Sequence, residues 1–256
     1  MFTSPKRLQI TPEDKAVKAE LDRLYIKNNT LKFIEDDPVQ FPHRYTAPED
    51  REIAAFLAAT IAWGRRPLII KAAEKMFALM GESLYDYVME GNYRNISDAC
   101  VYRTFFGKDL RYFCKALKAC YLRYGSLEAL FASASDFWEG ISLFRQTSAQ
   151  ANKAAYSKHI ANPDSNSACK RLHLALRWLT RREGPVDLGL WKSVSPEKLF
   201  IPLDVHVGRS ARHLGFLPQG RKANDKKAVV ALTEKLREFC PHDPVKYDLA
   251  LFSYRF

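Results

Sequence analysis

The sequence predicts an all-α protein of about ten short helices. Three observations carry that expectation. Helix-opening residues, Pro or a Ser/Thr/Asp cap, recur at short intervals, and glycines stop the apolar runs that follow them. No stretch alternates β-branched and polar residues around a hairpin turn pair. The 256 residues are 47% hydrophobic and 12% aromatic, which suits a packed core and argues against disorder or a coiled coil. A single unit of two helical lobes is expected, the first over about residues 46–150 and the second over 151–256.

Thr11-Pro12-Glu13 opens a helix running to about Asn28, with Leu21, Leu24 and Tyr25 at core spacing. A Pro-rich connection follows through Pro38 and Pro42. Pro48-Glu49-Asp50 starts the next helix, and Ile53 to Trp63 is apolar on almost every face until Gly64, so this helix belongs in the centre of the core. Pro67 restarts a helix that Gly81 closes. Ser83–Glu90, Lys108–Tyr124 and Ser135–Phe144 read as three more, with Gly91 and Gly125 as stops. Another runs from about Ala168 to Arg182, ended by Gly184-Pro185. Asp204–Leu214, Asp225–Phe239 and Asp243 to about Phe252 complete the set.

No apolar run is long enough to span a membrane. The first fifteen residues lack the apolar core of a secretory leader, so a cytoplasmic location is expected. The net charge is +11, of which +2 falls in residues 1–150 and +9 in residues 151–256. A charge concentrated in one lobe fits a polyanionic partner, and DNA is the partner expected. The five cysteines (Cys100, Cys114, Cys120, Cys169, Cys240) form no C-x-x-C pair. Their spacing builds neither a zinc cage nor an iron–sulfur cluster, so free thiols and no cofactor are expected.

Two segments could carry chemistry. In the first, Ser167 is placed to cap a helix whose first turn holds Lys170, with Cys169, Leu172, Leu176 and Leu179 as the core stripe. A cation in a first turn opposes the helix dipole, which favours the neutral amine and hence a nucleophile. The second is Ile201-Pro202-Leu203-Asp204-Val205-His206-Val207-Gly208-Arg209. There Asp204 fits an N-cap receiving the backbone N–H of His206 or Val207. His206, Arg209 and His213 share a cationic face, and Gly208 is expected to permit a close helix crossing.

Leu203-Asp204-Val205-His206-Val207-Gly208-Arg209, continuing through Arg212-His213-Leu214-Gly215-Phe216, resembles a segment of the helix–hairpin–helix DNA glycosylase superfamily. The family places an aspartate there, and a lysine early in the helix after a hairpin, where Lys170 falls. Phe56 to Trp63 with Ile69-Ile70-Lys71-Ala72 is similar to the family's central apolar helix. The resemblance covers about residues 48–252 and implies a helix–hairpin–helix glycosylase-like fold. It implies Lys170 and Asp204 as catalytic residues. Trp63, with Arg65 and Arg66, would occupy the place that fills the gap left by a flipped base. Ser167, Arg171, His206 and Arg209 would contact the nucleic acid. More narrowly, Phe41-Pro42-His43-Arg44-Tyr45, Ser167–Leu172, Val186–Trp191 and Asp243–Asp248 resemble a bacterial family described only as a domain of unknown function. The chain departs from the superfamily pattern in three places. Pro163-Asp164-Ser165-Asn166-Ser167 replaces the glycine-rich hairpin, the Lys170–Asp204 interval is long, and the cysteine cluster of some members is missing.

The implied chemistry is cleavage of an N-glycosidic bond. A carboxylate stabilises positive charge on the sugar, and a neutral lysine attacks the anomeric carbon to form an imine that permits strand cleavage. The expectation is therefore a DNA glycosylase removing a damaged base, an oxidised one among the options, with AP lyase activity open as a second step. The alternative is a non-catalytic nucleic-acid-binding module on the same fold. A metal-dependent phosphohydrolase using Asp204, His206, His242 and Asp243 is a third reading. The run Arg221–Lys227 is a candidate phosphate-contacting loop.

Overall fold

Local capping chemistry sets most helix boundaries in the computed structural model, which describes residues 11–220 and 224–255. Residues 1–10 and residues 221–223 of the basic run lie outside the described residues. The Thr11 hydroxyl accepts the Asp14 N–H at 3.1 Å and opens α1 (Pro12–Asn28). The Pro-rich connection holds two short helices, α2 (Leu31–Glu35) and α3 (Gln40–His43). Helix α4 (Pro48–Thr60) is buried at every position from Glu52 to Thr60, as its all-round apolar surface requires. It ends three residues short of Trp63, which stands in the connection to α5 (Arg66–Met80).

Helix α6 (Leu84–Glu90) is capped by the Ser83 hydroxyl and stopped by Gly91 in the left-handed region, φ 84°. A two-stranded antiparallel ribbon, β1 (Cys100–Tyr102) with β2 (Phe105–Phe106), leads into α7 (Gly107–Tyr124). Then come α8 (Leu127–Ala132) and α9 (Phe137–Ala151), the latter running past the expected end at Phe144. The second half contributes α10 (Lys170–Thr180), α11 (Val205–His213), α12 (Lys226–Phe239) and α13 (Tyr247–Ser253). Thirteen α-helices thus appear among the described residues, three more than expected. The additions, α2, α3 and α8, have six residues or fewer, too short to show a periodicity.

The buried apolar side chains form a continuous cluster drawing on residues from Leu21 to Leu251. Helix α10 packs on α4, and α1 packs on α13, so the amino-terminal helix covers the carboxy-terminal one. Of the two buried carboxylates of α4, Asp50 and Glu52, the deeper is Glu52, 3% exposed. It accepts the Trp191 indole N–H at 2.7 Å, the Tyr121 hydroxyl at 2.8 Å, and the Glu128 and Leu127 backbone N–H groups at 2.9 and 3.1 Å. Burial raises its pKa and these donors oppose the shift. It ties α4, α7, α8 and the segment after α10 to one point.

His173 of α10 is fully buried between Trp138 and Phe200, with ring centroids 4.5 and 5.8 Å away, and neither ring nitrogen has a partner among the described residues. Burial, with Lys226 nearby, pushes it down to about 3. Between pH 6.5 and about 3 the unfolded chain binds a proton here that the folded chain refuses. Stability is therefore expected to fall with decreasing pH through that window, by up to about 1.4 kcal/mol per unit from this group. Urea unfolding of the protein and of His173→Phe between pH 7 and 4 checks this. The variant's stability should fall less steeply, and parallel curves would assign the acid sensitivity to other groups.

Candidate active site

The segment before α10 has no glycine yet makes tight turns. Asn166 and Cys169 both adopt left-handed backbone conformations, with φ of 58° and 46°. Asparagine tolerates that conformation, but at Cys169 it costs about 1–2 kcal/mol, so surrounding contacts must hold the turn. The Asn166 amide donates to Asp225 Oδ2 at 2.9 Å and its carbonyl accepts the Lys226 N–H at 3.0 Å, clamping the turn to the start of α12. Ser167 is not the helix N-cap. Its hydroxyl accepts the Cys169 N–H at 3.3 Å, and Cys169, which offers no side-chain cap, precedes the helix. The left-handed turn delays the helix by two residues and makes Lys170 its first residue.

Asp204 caps α11 as expected, its Oδ1 accepting the His206 and Val207 N–H groups at 2.8 and 2.9 Å. Gly208 does not serve a helix crossing. An added Cβ would sit 2.5 Å from the Asn224 side chain, whose amide donates to the Asp204 carbonyl at 2.9 Å. The glycine leaves room for that bridge.

The first turns of α10 and α11 open on one cavity of about 900 Å³, within the range of small-ligand sites. Lys170 and Asp204 both line it. The Lys170 ammonium, half-buried, makes no ion pair or hydrogen bond among the described residues. A cation at the positive end of an uncapped helix is an arrangement that folding stability alone disfavours.

Of the other expected site residues, Trp63, Arg66, Ser167, Arg171 and His206 also line the cavity, whereas Arg65 and Arg209 are exposed and do not. Trp63 forms a wall. Its ring stacks on His159 at 5.9 Å, meets Tyr102 edge-on at 5.2 Å, and has the Arg171 guanidinium 4.9 Å from its centroid. Arg171 donates to the Thr60 carbonyl at 2.7 Å, satisfying an orphan acceptor at the end of α4. Arg66 pairs with Asp37 at 3.0 Å and lies 4.6 Å over the Phe252 ring. His159, 5% exposed, has Nε2 3.1 Å from the Thr104 carbonyl, and burial lowers its pKa.

A residue not singled out as a site residue by the sequence, Asp248 of α13, lies on the same cavity. It ends a buried chain of charges. Asp243 binds Arg181 through its Nε and Nη2 at 2.9 and 2.8 Å, and Arg181 also binds Asp187. Asp187 takes the Arg177 Nε and Nη2 at 3.1 and 3.0 Å, and Arg177 binds Asp248. Arg177 and Arg181 stand four residues apart in a helix otherwise rich in leucine. That spacing was the signal, since buried guanidiniums demand buried carboxylates. Asp243 is thus committed to Arg181, and among the described residues no three His, Cys, Asp or Glu side chains gather as a metal site. No helix among them is long and apolar enough to cross a membrane.

Compared with known proteins, residues 37–256 match the family described as a protein of unknown function, DUF2400. No curated protein and no solved structure matches.

Proposed function

Because the chain belongs to the DUF2400 family, whose description names no activity, we propose from the cavity itself that it is a DNA glycosylase of helix–hairpin–helix type, with Lys170 and Asp204 as its catalytic pair and AP lyase activity as its second step. One observation carries the reading. An unpaired lysine and a helix-capping aspartate, 34 residues apart in sequence, line one cavity at the first turns of two helices. In this reading the target nucleotide leaves the stack and enters the cavity. Asp204 stabilises positive charge on the sugar, and the Lys170 amine bonds to the anomeric carbon as the base departs. The uncapped start of α10 suits a phosphate, since unpaired N–H groups and the dipole favour an anion there.

Incubation with oligonucleotides carrying single lesions, followed by borohydride, tests this. A covalent adduct on at least one substrate is expected. DNA binding without base release or adduct across the panel would favour the alternative, a nucleic-acid-binding module on the same fold. In either case the basic second lobe predicts salt-steep binding, with a log–log slope of roughly −4 to −5 for about five phosphate contacts. A slope near zero would remove the nucleic acid from both readings.

A further inference from the structure

Three carboxylates line the cavity: Asp37 is paired with Arg66, while Asp204 and Asp248 are held in opposite ways. We infer that Asp248, not Asp204, is the proton-exchanging group of the site, giving a proton to the departing base and recovering one from the attacking amine. The inference rests on the glycosylase reading and deepens it. Asp204 is half-exposed, and its Oδ1 accepts two backbone N–H groups. Asp248 is inside, with its side chain 9% exposed. Its Oδ2 accepts from Arg177, while its Oδ1 makes no hydrogen bond among the described residues and is not among the sealed, unpaired atoms. The open oxygen is therefore not sealed from solvent, on a residue that lines the cavity.

The charges around Asp248 are mixed. Burial pushes its carboxyl up to about 6, Arg177 opposes that, Asp204 adds to it and Lys170 pulls it back. Arg177 is shared with Asp187, so it neutralises Asp248 only in part. A buried carboxyl raised into this range can both give and take a proton near neutral pH. The step balances without a co-reactant. The anomeric C–N bond breaks, its electron pair leaves with the base nitrogen, and that nitrogen takes the Asp248 proton. As the Lys170 nitrogen bonds to the anomeric carbon it sheds a proton, which the Asp248 carboxylate takes up.

The experiment has two arms. In the first, the DNA-free protein labelled with ¹³C-carboxyl aspartate is titrated by NMR. A signal with a midpoint near pH 6 is expected. It should vanish in Asp248→Asn and move to lower pH in Asp204→Asn, where a neighbouring negative charge is gone. In the second, Asp248→Asn should slow base release about a hundredfold or more and flatten the pH profile near 6. Adduct formation on DNA whose base is already missing should fall much less, because no leaving base needs a proton. Asp248→Glu should recover part of the release and the pH dependence, separating proton transfer from loss of the Arg177 contact. A wild-type titration with no aspartate near pH 6, or equal losses on both substrates, overturns the inference. A protein that titrates as expected yet releases no base and forms no adduct overturns the glycosylase reading instead, and with it the base as the proton's destination.

Discussion

Lys170→Gln is expected to abolish borohydride trapping completely while changing duplex binding by less than about tenfold. The two effects separate because they come from different sources. Trapping requires an amine that can form an imine, and glutamine has none. Binding is summed over several phosphate contacts, so loss of one cation removes a small share of it. The substitution also relieves an unfavourable contact, since Lys170 is the first residue of α10 and its charge opposes the helix dipole. The variant should therefore melt no lower than the parent protein. Asp204→Asn is the companion case. Asparagine caps a helix about as well as aspartate, so folding should be kept while base release slows by about two to three powers of ten. Persistent trapping by Lys170→Gln would move the nucleophile elsewhere. A fall in melting temperature and binding together would reduce Lys170 to a structural role.

The helices were legible where punctuation was strong. Pro67 with Gly81, and Ser83 with Gly91, bracket α5 and α6 closely, because a missing N–H suits a first turn and a left-handed residue suits a last one. Helices α2 and α3 were not, because within five residues the placing of Phe33 or Phe41 says nothing of a helical face. The start of α10 was misread for a different reason. The left-handed backbone at Cys169 is one that tertiary contacts impose and that residue type does not announce. Within the site, Lys170 and Asp204 are noticeable from their places at helix starts, and the family resemblance supplies their expected roles. Asp248 is not, because its meaning depends on Arg177, 71 residues away, and on a cavity that only the packed helices enclose. The stretches Val186–Trp191 and Asp243–Asp248 stood out as segments, but nothing in them says that their aspartates meet two arginines of α10.

Asp187→Ala is expected to destabilise the fold more than Lys170→Gln or Asp204→Asn. Asp187 has a fully buried side chain and is the middle carboxylate of the chain that joins Asp243 to Asp248. Removing it leaves the facing sides of Arg177 and Arg181, 3% and 0% exposed, without an acceptor. Breaking a buried pair from one side costs about 3–5 kcal/mol, because the remaining charge stays desolvated. That is a large share of the about 5–15 kcal/mol that holds a domain folded. Asp187→Asn keeps one acceptor oxygen and should cost less. It also leaves Asp248 as the one carboxylate in direct ion-pair contact with Arg177 among the described residues, which strengthens that pair. Urea denaturation should therefore rank the parent above Asp187→Asn and Asp187→Ala last. The ¹³C titration of Asp187→Asn should show Asp248 giving up its proton at lower pH than in the parent. If Asp187→Ala unfolds with the parent's midpoint, the charges are solvated and the chain is not a structural element. If Asp187→Asn destabilises the fold but leaves the Asp248 titration in place, the chain supports the fold without tuning the cavity.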